Sequence, residues 1–197
     1  MSVAGPGSVA VFLGLWVGMS AAMMLPSAAP TISLFALARG DRERTATLST
    51  AVFVAGYLLA WTALGLAAYA VARALGGASP LDAMWSRGLE AGAFAAAGLY
   101  ELTPLKSACL RHCRSPLGFL VRKRRTSPLR LGVEHGTACI GCCAGLMLVL
   151  VALGAMNLVW MALVAGLIVL QKVLPHGDRA SVPLGIAFLA VAAGLLV

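Results

Sequence analysis

The run TATLSTAVFVAGYLLAWTALGLAAYAVA, Thr45 to Ala72, holds 28 residues and no charge. As a helix rising about 1.5 Å per residue it is longer than the roughly 30 Å of hydrocarbon in a bilayer. The chain before it is of the same kind, with no charged side chain between Met1 and Arg39. Downstream, Gly136 to Gln171 is uncharged for 36 residues. That is too long for one crossing but suits two shorter helices turning near Gly154, with Asn157 just beyond. Composition agrees: of 197 residues 60% are hydrophobic and 11% charged, and the mean hydropathy is +0.92. These values exclude a soluble globule, a disordered chain, a collagen and a disulfide-rich secreted scaffold. The ten-residue alternation of a membrane barrel is absent, and backbone groups in lipid must then be satisfied within helices. With 22 glycines, close packing through small residues is expected. The fold class is therefore all-α, a polytopic transmembrane bundle of about six helices.

The chain reads as a single transmembrane domain over 1–197. Its helices are expected near 8–38 (interrupted at Pro26 and Pro30), 47–73, 81–103, 133–153, 156–174 and 181–197. A basic connection covers 104–132. The third helix is the least apolar, carrying Asp82, Arg87, Glu90 and Glu101, and ends before Pro104. A turn is expected at Pro175, His176, Gly177 and Asp178. The apolar start is read as a helix rather than a cleaved leader, because it lacks a basic leader segment and stays apolar past the small residues Ser27 to Ala29.

Lys and Arg fall unevenly among the connections: three at 39–44, two at 73–87, eight at 106–130, none near 154 and two at 172–179. If six helices cross, thirteen of the fifteen lie on one side. The positive-inside rule then makes the 104–132 loop cytoplasmic and turns both termini outward. Arg122, Lys123, Arg124 and Arg125 in that loop, with a net charge of +8, read as a topology determinant that attracts anionic lipid rather than as a nucleic-acid surface.

All five cysteines lie within 35 residues, as Cys109-Leu-Arg-His-Cys113 and Cys139-Ile-Gly-Cys142-Cys143. On the reducing cytoplasmic side such clusters serve metal binding or thiol exchange rather than structural disulfides. Cys109 and Cys113 share one helical face, with His112 beside them. With Cys139 at zero, His135 falls at about −40°, Cys142 at about −60° and Cys143 at about +40°. Three sulfurs and an imidazole thus share one arc, while Gly136 and Gly141 let another helix approach. Taken singly, each cysteine is an ordinary small buried hydrophobe, and His135 an ordinary residue near a helix start.

Helix one carries Met19, Met23 and Met24 just before Pro26, and Met147, Met156 and Met161 follow later. A thioether pair one turn apart can bind a soft ion, although methionine is also a common packing residue. Thiolate and thioether together select Cu(I), and oxygen ligands for Mg²⁺ or Ca²⁺ are scarce. Zinc, for which three cysteines and a histidine form a standard structural set, is the competing metal. On helix three, Arg87, Glu90 and Glu101 share a stripe. The structural expectation is an Arg87–Glu90 pair and Glu101 with Lys106; the functional one is a proton or cation path.

Three blocks carry a family likeness: Trp16-Val-Gly-Met19-Ser-Ala-Ala-Met23-Met24-Leu-Pro26, Gly98 to Pro116 around Cys109 and Cys113, and Cys139-Ile-Gly-Cys142-Cys143-Ala-Gly-Leu-Met147. Gly154 to Met161 adds a fourth. Together they resemble a bacterial family of predicted metal-binding integral membrane proteins, some members of which are labelled copper chaperones. The resemblance implies a metal-binding protein of the bacterial plasma (inner) membrane; Glu101 departs from the uncharged amide expected in many relatives.

The leading expectation is a membrane-embedded Cu(I)-binding protein of copper delivery. Its ligands are Cys139, Cys142 and Cys143, with His135 as neighbour, Cys109 and Cys113 as a transfer pair, and Met19, Met23 and Met24 extending the path. Its partners would be anionic lipid and other membrane or metal-receiving proteins. Nucleotide-binding and hydrolytic motifs are missing, so binding rather than catalysis is expected. Two alternatives stand beside it: a membrane thiol–disulfide oxidoreductase pairing Cys139/Cys142 with Cys109/Cys113, and a structural subunit of a larger membrane complex.

Overall fold

The computed structural model describes residues 6–38, 43–74, 87–115, 118, 120, 126–153, 158–173 and 177–196. Seven α-helices lie among them: α1 Pro6–Ala38, α2 Glu43–Ala74, α3 Arg87–Glu101, α4 Pro104–Arg114, α5 Pro128–Ala152, α6 Leu158–Val173 and α7 Ser181–Leu196, the last preceded by a 3₁₀ turn at Gly177–Ala180. No strand occurs among the described residues. Among the described residues, three segments are long and apolar enough to cross a membrane: Val9–Ala38, Ala46–Ala70 and Pro128–Val151. Leu158–Val173 and Ser181–Leu196 are apolar but shorter.

α1 continues through Pro26 and Pro30, so the expected interruption is absent. Both proline rings face outward, whereas Ser27, Ala28 and Thr31 on the same turns are buried. Apolar spans tolerate such prolines because small hydroxyl side chains and neighbours accommodate the disturbed backbone. Ser27 does so locally, its Oγ donating to the Met24 carbonyl at 2.9 Å.

The basic segment 104–132 is helical at both ends. Thr103 caps α4: its Oγ1 accepts from the Lys106 amide at 3.3 Å, and Pro104 occupies the first helical position, where its missing N–H is harmless. Pro128 opens α5 in the same way after Ser127, whose carbonyl accepts from the Leu131 amide at 3.1 Å. α5 therefore begins five residues ahead of the expected 133. Residues 81–86, Arg122 to Arg125, Gly154 to Asn157, and Pro175 with His176 lie outside the described residues, as does the side chain of Arg87.

The chain forms two compact units, Met1–Val71 with His112–Ile140, and Ala72–Arg111 with Gly141–Val197. In the first, α1 and α2 meet through Phe35 and Phe53, stacked at 4.8 Å, over a core that includes Leu120 and Leu131. Trp16 donates its indole N–H to the Trp61 carbonyl at 2.9 Å. α2 also packs against the start of α5 at almost backbone contact. A Cβ at Gly132 would run into the Phe53 carbonyl oxygen, and one at Gly56 into that of Leu129. At Gly136 it would lie 2.8 Å from Ala60 Cβ and 2.9 Å from the Tyr57 carbonyl oxygen. This is small-residue packing, in which the missing side chains let two helices touch along their backbones.

In the second unit, α3 and α7 pack edge to face through Phe94 and Phe188, 5.8 Å apart. The expected Glu101–Lys106 pair is present and fully enclosed. Lys106 Nζ donates to Glu101 Oε2 and to Gln171 Oε1 at 2.9 Å. Gln171 Nε2 in turn reaches Glu101 Oε2 at 3.4 Å. One buried polar knot thus ties the end of α3, the first turn of α4 and α6.

Candidate metal centre

Cys139, Cys142 and Cys143 all lie on α5, and each is at most 1% exposed. Their sulfurs are within 4.8 Å of one another, and Cys142 and Cys143 are 3.5 Å apart. The helix alone sets this arrangement, because residues at i, i+3 and i+4 share a face. A sulfur-ligated ion at about 2.3 Å from each donor separates its ligands by roughly 3.8 to 4.0 Å. The thiol group therefore needs only side-chain adjustment to close on an ion. Its donors are all soft sulfur, a set that suits Cu(I), zinc and iron–sulfur centres rather than Mg²⁺ or Ca²⁺.

The first unit supplies a hydrogen-bonding partner. Tyr57, fully buried on α2, places its hydroxyl 3.0 Å from Cys139 Sγ. It arrives there because Gly132 and Gly136 bring the two helices together one turn before Cys139. The His135 ring is 3% exposed and sits beside Phe53 and Tyr57 at centroid distances of 6.0 and 5.9 Å. His135 shares the helical face of Cys139, as its spacing predicts, but is not one of the three mutually close donors.

Within the second unit, Cys109 on α4 meets α5 at Gly141. A Cβ there would lie 2.7 Å from Cys109 Sγ and 4.0 Å from the Tyr100 hydroxyl, which donates to the Gly141 carbonyl. Gly141 is thus the landing point of the Cys109 thiol, directly beside Cys142 in sequence. Cys109 is partly exposed, and Cys113, one turn on, is buried. Neither joins the group of three. On α1, Met23 and Met24 are buried at 5% and 0% and Met19 is partly buried.

Tyr57 carried no flag in the sequence. The signal that could have located it is the Gly132-x₃-Gly136 spacing immediately ahead of Cys139, which marks the face where another helix docks. Thr103-Pro104 likewise marks the start of the helix that presents Cys109.

The family model for PpoB2, a copper chaperone, matches residues 13–196. The chain belongs to that copper chaperone family. No curated protein matches the chain, nor does any solved structure. The match covers nearly the whole chain, including the buried thiol group of α5, and both observations fit copper handling.

Proposed function

We propose that the protein is a multi-pass helical protein of the bacterial plasma membrane that holds Cu(I) on Cys139, Cys142 and Cys143 and passes it on. The supporting observation is the trio of buried sulfurs within 4.8 Å of one another on a helix long enough to cross a bilayer. Soft cargo of this kind moves by exchange between thiolates, which avoids releasing a free ion. Cys109, partly exposed and seated at Gly141, is the transfer thiol, with Cys113 one turn behind it. His135 lies one turn before Cys139 beside the thiol group, and Met19, Met23 and Met24 extend the path along α1. The basic 104–132 segment faces the cytoplasm and anionic lipid, with both termini outward. A metal-receiving protein is the partner at the transfer thiol.

Purified protein in mild detergent is expected to bind about one Cu(I), with Cys139→Ser or Cys142→Ser weakening it about 100-fold by removing one tooth of a chelate. Met19→Leu should stay close to wild type. Competition against a Cu(I)-specific chelator under anaerobic conditions measures both. Copper no greater than in a variant with all three α5 cysteines replaced by serine would remove the proposal.

Tyr57→Phe deletes the hydroxyl at Cys139 while keeping the ring. Partners beyond the ligand shell typically contribute 10–100-fold to metal affinity, so a weakening of about tenfold is expected. Helix content by circular dichroism should be unchanged. Unaltered affinity would show that the hydroxyl is only a packing neighbour.

A further inference from the structure

We infer that the α5 thiol group also takes trivalent arsenic, as arsenous acid, in a three-sulfur pyramidal adduct. The inference rests on the same reading of Cys139, Cys142 and Cys143 as an available soft-donor set, and extends it to an uncharged ligand.

Geometry is the first support. A planar three-coordinate centre with bonds of about 2.3 Å needs its sulfurs roughly 4.0 Å apart. A pyramidal centre, with a lone pair at its apex, draws them closer. Cys142 and Cys143 already stand at 3.5 Å, and Cys139 lies within 4.8 Å of both. All three are on α5, so closing the triangle needs no movement of one helix against another.

Charge is the second support. A Cu(I) ion held by three thiolates leaves two net negative charges in a group at most 1% exposed. Charge enclosed in that way is costly unless it is paired. Arsenous acid avoids the problem, because it is uncharged at neutral pH and condenses with three thiols. Three As–O and three S–H bonds break, three As–S bonds and three O–H bonds form, and three waters leave. No electrons are transferred, and reactants and products are neutral. An uncharged ligand also needs no ion path to reach a buried site.

The adduct is distinguishable from pairwise thiol capture. An aryl arsenoxide such as phenylarsine oxide binds two sulfurs, for which Cys142 and Cys143 suffice. Arsenite needs the third, Cys139.

The experiment uses the reduced full-length protein in mild detergent, titrated anaerobically with sodium arsenite and separately with phenylarsine oxide. Intact mass should increase by one arsenic less three hydrogens. Alkylated under unfolding conditions, the arsenic-free protein should be modified at all five cysteines, and the loaded protein at Cys109 and Cys113 with the three α5 cysteines spared. Cys139→Ser should weaken arsenite about 100-fold while leaving phenylarsine oxide bound. Arsenite held with loss of only two hydrogens, or protection falling on Cys109 and Cys113 instead, would overturn the inference. So would equal arsenite affinity in the variant with serine at all three α5 positions. Cu(I) competition on the same preparation separates the two readings. Copper bound without arsenite overturns only the arsenic inference, and arsenite bound without copper overturns only the copper proposal.

Discussion

Replacing Lys106 with methionine is expected to destabilise the protein by about 3–5 kcal/mol, the usual result of removing one partner from a buried ion pair. Lys106 is 0% and Glu101 3% exposed, so water cannot take over when the ammonium is removed. Glu101 Oε1 already has no hydrogen-bond partner among the described residues, lying where a Cβ on Gly145 would be 3.1 Å away. Without Lys106, the partner that Glu101 Oε2 keeps among the described residues is Gln171, at 3.4 Å. Methionine preserves most of the lysine stem, so the loss reports charge rather than volume. The control is the double variant Glu101→Gln with Lys106→Met. It removes both charges and should recover most of the loss, since a buried pair contributes little net stability over neutral groups of similar size. Thermal unfolding midpoints in one detergent compare the three proteins. A double variant as unstable as the single would assign the effect to packing at α4 instead of to an uncompensated carboxylate.

That pair is legible in the sequence alone, because charges in apolar helices seldom stay unpartnered and Lys106 is the nearest cation after Glu101. Its third member, Gln171, is not. An uncharged amide at the end of an apolar stretch looks like ordinary helix punctuation until α6 brings it to Lys106. The same contrast holds at the thiols. Cys139, Cys142 and Cys143 fall together by the 100° rotation of a single helix, which spacing alone dictates. Membership of His135 in that group is not settled by angle, because the ring is long enough to turn away, and here it lies against Phe53 and Tyr57. The extent of α4 is harder to read for a different reason. Hydropathy finds segments that cross lipid, whereas PLKSACLRHCR is amphipathic and polar, so its signal lay in Thr103 and Pro104. The prolines of α1 misled in the opposite direction, since a rule learned from soluble helices overstates their effect in an apolar span.

Gly132→Leu is expected to produce the second large loss, about 3 kcal/mol or more, because the obstacle is backbone. Overpacking usually costs about 1–3 kcal/mol when side chains can shift aside. Even a methyl group at position 132 would meet the Phe53 carbonyl oxygen and carbon and the Tyr57 amide nitrogen, none of which has a rotamer to change. α2 and α5 must then separate, and the displacement reaches the α5 thiol group through a definite route. Tyr57 follows Phe53 by one turn on α2 and Cys139 follows Gly132 by two on α5, so parting the backbones withdraws the hydroxyl from Cys139 Sγ. Gly132→Leu should accordingly lower both the unfolding midpoint and Cu(I) affinity, whereas Tyr57→Phe lowers affinity alone. Leucine at Gly166, where a Cβ would meet nothing within 4 Å among the described residues, is the matched control and should change neither. If Gly132→Leu kept wild-type affinity while losing stability, the hydroxyl contact would not depend on this close approach. α5 would then be organising its three sulfurs without help from α2.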